Sequence, residues 1–322
     1  MRIISIKMMA IAVFAVLFNK AAMKLSLSLT AIVSACVLAL SAGSSVASNL
    51  APAAETAPAP AVAADVSQLG EIIDLRSGQR VTAEQLLDHL AAAPRVIVGE
   101  QHDQLSHHHI EQWLLQQLQG RRPQGSVLLE MLNPDQQAKV DQAKSWLKDH
   151  PQAMPDQLAQ QLAWQASWKW DQYGELVTEV MRAPYPVWSA NLDRSEIRQM
   201  FVDKPAVQGK FSDLANDGQV QNRLKEIIRA MHDNQIDEPR LAAMLAIQQQ
   251  RDRRMAERLL AAPVPALLIA GAYHAHQDLG VPLHVRDLTG GAAPLVLVLA
   301  RQGAVVSRAQ ADLVWFTPTT NQ

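Results

Sequence analysis

Three short apolar runs in this sequence each end in side chains able to do chemistry. Arg95 to Gly99 (RVIVG) leads into Glu100-Gln101-His102, Ser126 to Leu129 (SVLL) leads into Glu130, and Ala266 to Gly271 (ALLIAG) leads into Ala272-Tyr273-His274-Ala275-His276. Runs of this length and composition, separated by helical stretches, read as buried parallel strands. In such sheets ligands bind in the crevice beyond the carboxyl ends of the strands. Two carboxylates, several histidines and a tyrosine are therefore expected to meet at one rim.

Each ending allows a definite chemistry. Glu100 and His102 are two residues apart at a strand end and point the same way. A carboxylate beside an imidazole orients the ring, raises its basicity or shares a metal ion with it; a structural ion pair is the plainer alternative. Glu130 leaves an adjacent run at the corresponding end. Two ionised carboxylates near each other need a cation, a proton or a histidinium between them, which suits proton transfer or cation binding. Tyr273 and His274 follow Gly271, where the missing side chain lets the backbone turn sharply. A tyrosinate is a known axial ligand of ferric haem iron, and a basic neighbour favours its deprotonation.

The triplet His107-His108-His109 opens a helix whose apolar stripe is Ile110, Trp113, Leu114 and Leu118. Successive helical positions differ by about 100°, so the triplet cannot hold one ion: His107 edges the stripe, His108 points away from it and His109 lies at its flank. His107, at the positive end of the helix dipole, is expected to stay neutral, as a ligand, an acceptor or a support for Glu100 or His102. Trp164, Trp168, Trp170 and Tyr173 add an aromatic stretch in which Trp164 and Trp168 share a helical face. Such a face packs into a core, against a flat apolar ligand or against a second copy.

The elements that must position these residues are readable from punctuation and periodicity. Glu71 to Leu75 reads as a short strand, Thr82 caps a helix to about Ala92, and Ser106 caps one through Leu118 that ends at Gly120. Asn133-Pro134 with Gln136 reads as a capped helix start. The span 133–261 is mostly helical, with one strand at Pro186 to Ala190 and long helices at Gln219 to Asn234 and Pro239 to Leu260. It reads as a helical subdomain inserted between sheet strands. The sheet resumes at Ala266, continues at Pro294 to Leu299, and closes with Leu313 to Phe316 as a last edge strand. The expected fold class is α/β, a mostly parallel sheet flanked by helices, within a domain at 66–322.

Hydrophobic residues make up 48% of the chain and charged residues 19%, as in a globular protein; the formal net charge of -2 gives no electrostatic case for nucleic acid. Two apolar runs, Met8 to Phe18 and Leu25 to Leu40, open the sequence. Neither matches the roughly 20 uninterrupted apolar residues of a spanning helix; residues 1–47 read as a leader, and the simplest reading starts the protein at Met23 with Met23 to Ala47 as a secretory signal. Ser45-Val46-Ala47 is a small-x-small cleavage site, with a tandem membrane anchor as the alternative. Cys36 is the only cysteine, in a Val33-Ser34-Ala35-Cys36 context like a lipobox, so acylation at Cys36 and cleavage after Ala47 both stand open. The folded part then has no thiol for disulfides or thiolate metal sites. Residues 48–65 are an Ala/Pro-rich linker.

Together these segments resemble the ChaN-like family of haem-binding, iron-regulated bacterial lipoproteins. The matching pieces are Val98-Gly-Glu-Gln-His-Asp103 with His107-His108, Leu129-Glu-Met131 with Gln136, Ser189-Ala-Asn-Leu-Asp-Arg194, Ala270-Gly-Ala-Tyr-His-Ala275 with Gly280-Val-Pro282, and Ala311-Asp-Leu-Val-Trp315. The resemblance implies an exported protein, periplasmic or anchored to the outer membrane as a lipoprotein. It would bind haem and assist iron acquisition, with a haem-uptake receptor or transporter as partner. Glu100, His102, His107, Glu130, Tyr173, Tyr273 and His274 would border the cofactor. Tyr273 is the expected iron ligand and His274 its partner, with Tyr173 or His107 in reserve. A flat porphyrin in a shallow crevice leaves one face exposed, so a haem-linked homodimer is expected. The same Glu/His arrangement is similar to the erythromycin esterase group and the Wnt-inactivating metalloproteases, which implies a hydrolase as the alternative. There His102 is the general base, Glu100 or Glu130 orients it, and His274 assists the leaving group or oxyanion. Otherwise His102, Glu130 and His274 hold a divalent ion that activates water.

Overall fold

The computed structural model describes residues 66, 69–208 and 213–318. The expected start at Met23, Cys36, the cleavage site at Ala47 and the 48–65 linker lie outside the described residues. None of the helices described is long and apolar enough to cross a membrane.

The chain opens with strands β1 (Glu71–Asp74) and β2 (Gln79–Arg80), then helix α1 (Ala83–Ala92). Thr82 caps α1 as expected: its hydroxyl accepts from Gln85 N at 3.2 Å, and the Gln85 side chain accepts from Thr82 N at 2.9 Å. β3 (Arg95–Glu100), α2 (Leu105–Arg121) and β4 (Ser126–Leu129) follow, then α3 (Gln137–Asp149), α4 (Pro155–Gln161), α5 (Trp170–Arg182) and β5 (Val187–Ser189). The remainder is α6 (Arg194–Asp203), α7 (Gly218–Met231), α8 (Glu238–Ala261), β6 (Ala266–Gly271), the single turn α9 (Ala272–Ala275), α10 (Val281–Thr289), β7 (Leu295–Arg301) and β8 (Leu313–Thr317).

The strands form one eight-stranded sheet in the order β2-β1-β8-β7-β3-β6-β4-β5. β1 runs antiparallel to both of its neighbours, and the pairs from β8 through to β5 are parallel. Leu313 to Phe316, expected at an edge, is instead interior, between β1 and β7. The N-terminal hairpin adds beyond it and takes the edge, and its short strands give no apolar run to reveal this.

The continuous apolar runs of the central strands are explained by burial on both faces. Val96, Val98, Val127, Leu129, Leu267 and Ile269 meet α1, α2, α3 and α5 on one side. Ile97, Leu128, Leu268, Ala270, Val296 and Val298 meet α8, α9 and α10 on the other. The 133–261 span thus serves both faces: α3 and α5 lie on the first, α8 on the second, and α7 packs on α8 through Leu224, Ile228, Leu241 and Leu245. β3, β6 and β4, whose ends carry the chemistry, are consecutive in the sheet, with Glu100 level with Gly271 and Leu129 level with Ile269.

The end of β3 packs so closely on α9 that only glycine fits there. A Cβ at Gly99 would lie 2.5 Å from Ala275 Cβ and 3.1 Å from Ala272 Cα, whereas one at Gly120, inside α2, would meet nothing within 4 Å. Gly99→Ala is expected to cost about 1–3 kcal/mol through overpacking. Gly120→Ala is expected to gain about 0.5–1 kcal/mol. Urea midpoints of the two variants, moving in opposite directions, check this.

Candidate functional site

The three strand ends and three helices join in one buried chain of alternating carboxylates and imidazoles. Glu100, with its side chain fully buried, accepts at Oε1 from Tyr173 OH (2.6 Å) and pairs there with His102 Nδ1 (2.8 Å). Its Oε2 lies 2.6 Å from His108 Nε2. On the other side, His102 Nε2 is 3.9 Å from Glu130 Oε2, and Glu130 Oε1 is 3.3 Å from His274 Nε2. His274 Nδ1 ends the chain on Asp252 Oδ1, at 2.5 Å. Backbone groups anchor it: Gly271 N donates to Glu130 Oε2 (2.8 Å), and the Asn191 amide donates to the Glu130 carbonyl (2.9 Å). A Cβ at Gly271 would come within 2.7 Å of His102 Nε2, so this glycine makes room for the ring.

The electrostatics follow from alternation. Burial opposes charge on Glu100, but the His108 and His102 rings outweigh it and hold the carboxyl well below the ordinary carboxylate range. Burial opposes charge on Glu130 in the same way, and His274 outweighs it. The imidazoles shift oppositely. Burial disfavours the cation on His102, yet Glu100 and then Glu130 raise its pKa; for His274, Glu130 and Asp252 overcome burial and raise it to about 10. Burial lifts Asp252 above the usual carboxylate value, with the His274 cation pulling against it. Glu111, buried in α2, is pushed well above the ordinary range by burial and then by Glu100.

Several expected residues behave differently from the sequence reading. His108 is buried, not turned away. α5 covers a second face of α2, and the His108 ring lies on Tyr173 with centroids 4.2 Å apart. α2 starts at Leu105 without a side-chain cap, so Ser106 lies inside it. His107 is neutral as expected, held near a pKa of about 4, and burial is the leading cause. Its Nδ1 accepts from Gln101 N (3.0 Å) and its Nε2 meets Thr317 Oγ1 (3.2 Å), which removes it from the reserve of iron ligands. Tyr173 leaves that reserve too: it is 1% exposed, and burial and Glu100 push its phenol well above the ordinary value. His274 is not the partner of Tyr273, because both of its nitrogens face carboxylates. The ring beside Tyr273 is His276, at 5.5 Å between centroids. Tyr273 itself is half-buried at the rim, and its hydroxyl makes no hydrogen bond among the described residues.

The aromatic stretch is a turn between α4 and α5 rather than a helix face, closed by the Trp164 indole donating to the Trp168 carbonyl (2.7 Å). Trp164, Trp168 and Trp170 pack against the core on one side and line an open cavity of about 430 Å³ on the other. Trp168, from that lining, meets His102 edge-on at 4.9 Å, and the His102 side chain is 21% exposed. His108, Glu111 and Asp252 were missed in the sequence. The Gly-x-x-His pattern shared by the ends of β3 and β6, Gly99 to His102 and Gly271 to His274, marks two imidazoles already found and none of these three.

The fold and this buried chain define a class of α/β proteins with a Glu/His rim, and the comparisons supply the family. A family model described as "Haem-binding uptake, Tiki superfamily, ChaN" matches residues 86–285, and the chain belongs to this family. Among solved structures, that of "Cofacial heme binding to ChaN of Campylobacter jejuni" is similar at 27% identity and a TM-score of 0.70, covering 77% of this chain and 96% of the other. An erythromycin esterase mutant in its open conformation is a more distant neighbour, at 11% identity and a TM-score of 0.41 over 73% of this chain and 78% of the other. No curated protein matches the sequence.

The raised value of His274 fixes the sign of a pH dependence. Its contribution to stability is complete below the ordinary imidazole value of 6.5 and is lost as pH climbs toward about 10. Unfolding free energy should therefore fall between pH 7 and 10, by at most about 1.4 kcal/mol per unit from this group. Glu130→Gln, which removes one carboxylate partner, should flatten that decline in denaturant titrations. An equally steep decline in the variant would detach it from His274.

Proposed function

We propose that the protein binds haem at the rim beyond β3, β6 and β4, with Tyr273 as the iron ligand. It would do so as an exported component of haem or iron acquisition. The observation that carries the reading is the half-buried Tyr273, whose phenol stands outside the buried chain in a member of a haem-binding family. Haem, when bound, would supply a ferric iron, for which the Tyr273 phenolate oxygen is a suitable donor. The donor set fits: pulling His274 from between Glu130 and Asp252 would strand buried charges at a cost of about 3–5 kcal/mol, and Tyr273 carries no such cost. Burial holds the neighbouring His276 below its ordinary value, so a neutral ring faces the phenol. Trp168 borders His102, which lies against Gly271, two residues before Tyr273. The tryptophan turn thereby offers an apolar wall for a flat macrocycle.

The solved relative from Campylobacter jejuni is described as binding haem cofacially. A haem held at this rim would leave one face exposed, and that face would join two copies in a haem-linked homodimer that hands its cargo to an uptake receptor or transporter. The hydrolase alternative has one observation in its favour, the partly exposed His102 ring held at Nδ1 by Glu100, with Nε2 facing Glu130. His102 is, however, raised by its two carboxylates, which opposes a free base at neutral pH.

Ferric haem added to the purified protein should give a saturable, high-spin tyrosinate spectrum that Tyr273→Phe abolishes or shifts; an unchanged spectrum and affinity would move the ligand elsewhere. Ester or peptide cleavage lost in His102→Ala, without a Soret band, would favour the hydrolase. For export, terminal sequencing of the protein from its native host should find a chain beginning at Ser48 or at a lipidated Cys36. An intact Met1 in the cytoplasm would contradict it.

A further inference from the structure

We infer that Glu100, His108 and Glu111 form a binding site for one divalent first-row transition ion, set behind the haem crevice between the end of β3 and α2. One donor atom from each of the three lies within 4.8 Å of the other two, and all three side chains are buried. His108 and Glu111 are three apart on α2, which puts both on the same helical face. This is the carboxylate–imidazole spacing of helical metal sites.

The surrounding hydrogen bonds leave the inward-facing atoms of this cluster without partners outside it. His108 Nδ1 lies 3.1 Å from the Gln172 carbonyl oxygen, so Nδ1 carries the proton and donates. Nε2, on the other side of the ring, faces Glu100 Oε2 at 2.6 Å, where an ion could bind in place of a proton. Neither of these atoms has a hydrogen-bond partner beyond the other, and both carboxylate oxygens of the 1% exposed Glu111 have none. Buried acceptors left facing one another are unfavourable, and a cation among them removes the penalty.

The outer partners of His108 and Glu100 are those a metal site requires. A ligating imidazole donates its other N–H to a carbonyl, and ligating carboxylates are themselves hydrogen-bonded. Here Gln172 supplies the carbonyl, and Tyr173 with His102 holds the far oxygen of Glu100. One imidazole nitrogen among carboxylate oxygens suits manganese, iron or zinc better than calcium, which takes an all-oxygen shell. The ion would clamp α2 to β3. Through the shared Glu100 it would also set the charge beside His102.

The test uses the full chain unfolded and refolded with cobalt(II) as the only metal, then freed of excess ion. Wild type should retain one cobalt per chain, with visible d–d absorption. Glu111→Gln, nearly isosteric, should lose it while keeping its circular dichroism and cooperative unfolding. His108→Asn should lose it too, and it supplies the reading if the first variant fails to fold. Tyr173→Phe, which strips a hydrogen bond from Glu100, should weaken binding by roughly 10- to 100-fold. His274→Asn should keep the ion. Wild type without cobalt overturns the site and leaves the cluster held by protons. Cobalt retained by folded Glu111→Gln or His108→Asn also overturns it, and its loss from His274→Asn would then put the ion at His102, Glu130 and His274. None of these outcomes depends on whether haem binds.

Discussion

Burying carboxylates at the end of a sheet is tolerable only if each is paired, and that constraint shapes the whole site. Glu100, Glu130 and Asp252 are almost without solvent. They are separated by His102 and His274, whose raised pKa values are the counterpart of the depressed values at Glu100 and Glu130. Removing one member of such a pair strands the other at about 3–5 kcal/mol. β3, β6 and β4 must therefore stay in register for the chain to close, and Gly99 and Gly271 must stay small. The helices contribute in the same sense: α2 brings His108, α5 brings Tyr173 and α8 brings Asp252.

Much of this was legible in the sequence, for identifiable reasons. Strands buried on both faces appear as unbroken apolar runs, and the residues just after them must emerge at the sheet's carboxyl edge, so Glu100, His102, Glu130 and His274 could be found together. The helical contributions were hidden. His108 and Glu111 were invisible because the single apolar stripe of α2 predicts one buried face, whereas α5 creates a second. Asp252 lies in Gln248-Gln249-Gln250-Arg251-Asp252-Arg253-Arg254, which reads as a solvated face. α8 nevertheless buries Asp252 completely, because α9 sets His274 against it. The tryptophan turn misled for a related reason: spacing of four suggests a helix face, but here an indole–carbonyl bond closes a turn.

The site divides into an interior whose charges are committed to one another and a rim that is not. His102 links them, partly exposed and bordered by Trp168. Under the proposed reading, the tryptophan turn would be the wall and Tyr273 the iron donor, and neither would break an internal pair. The most direct measurement is anomalous diffraction at the iron edge from crystals of the haem-loaded protein. The account predicts an iron peak beside the Tyr273 hydroxyl, with Glu100, His102, Glu130, His274 and Asp252 still paired. Haem iron bound to His102, His274 or a residue away from this rim would contradict it.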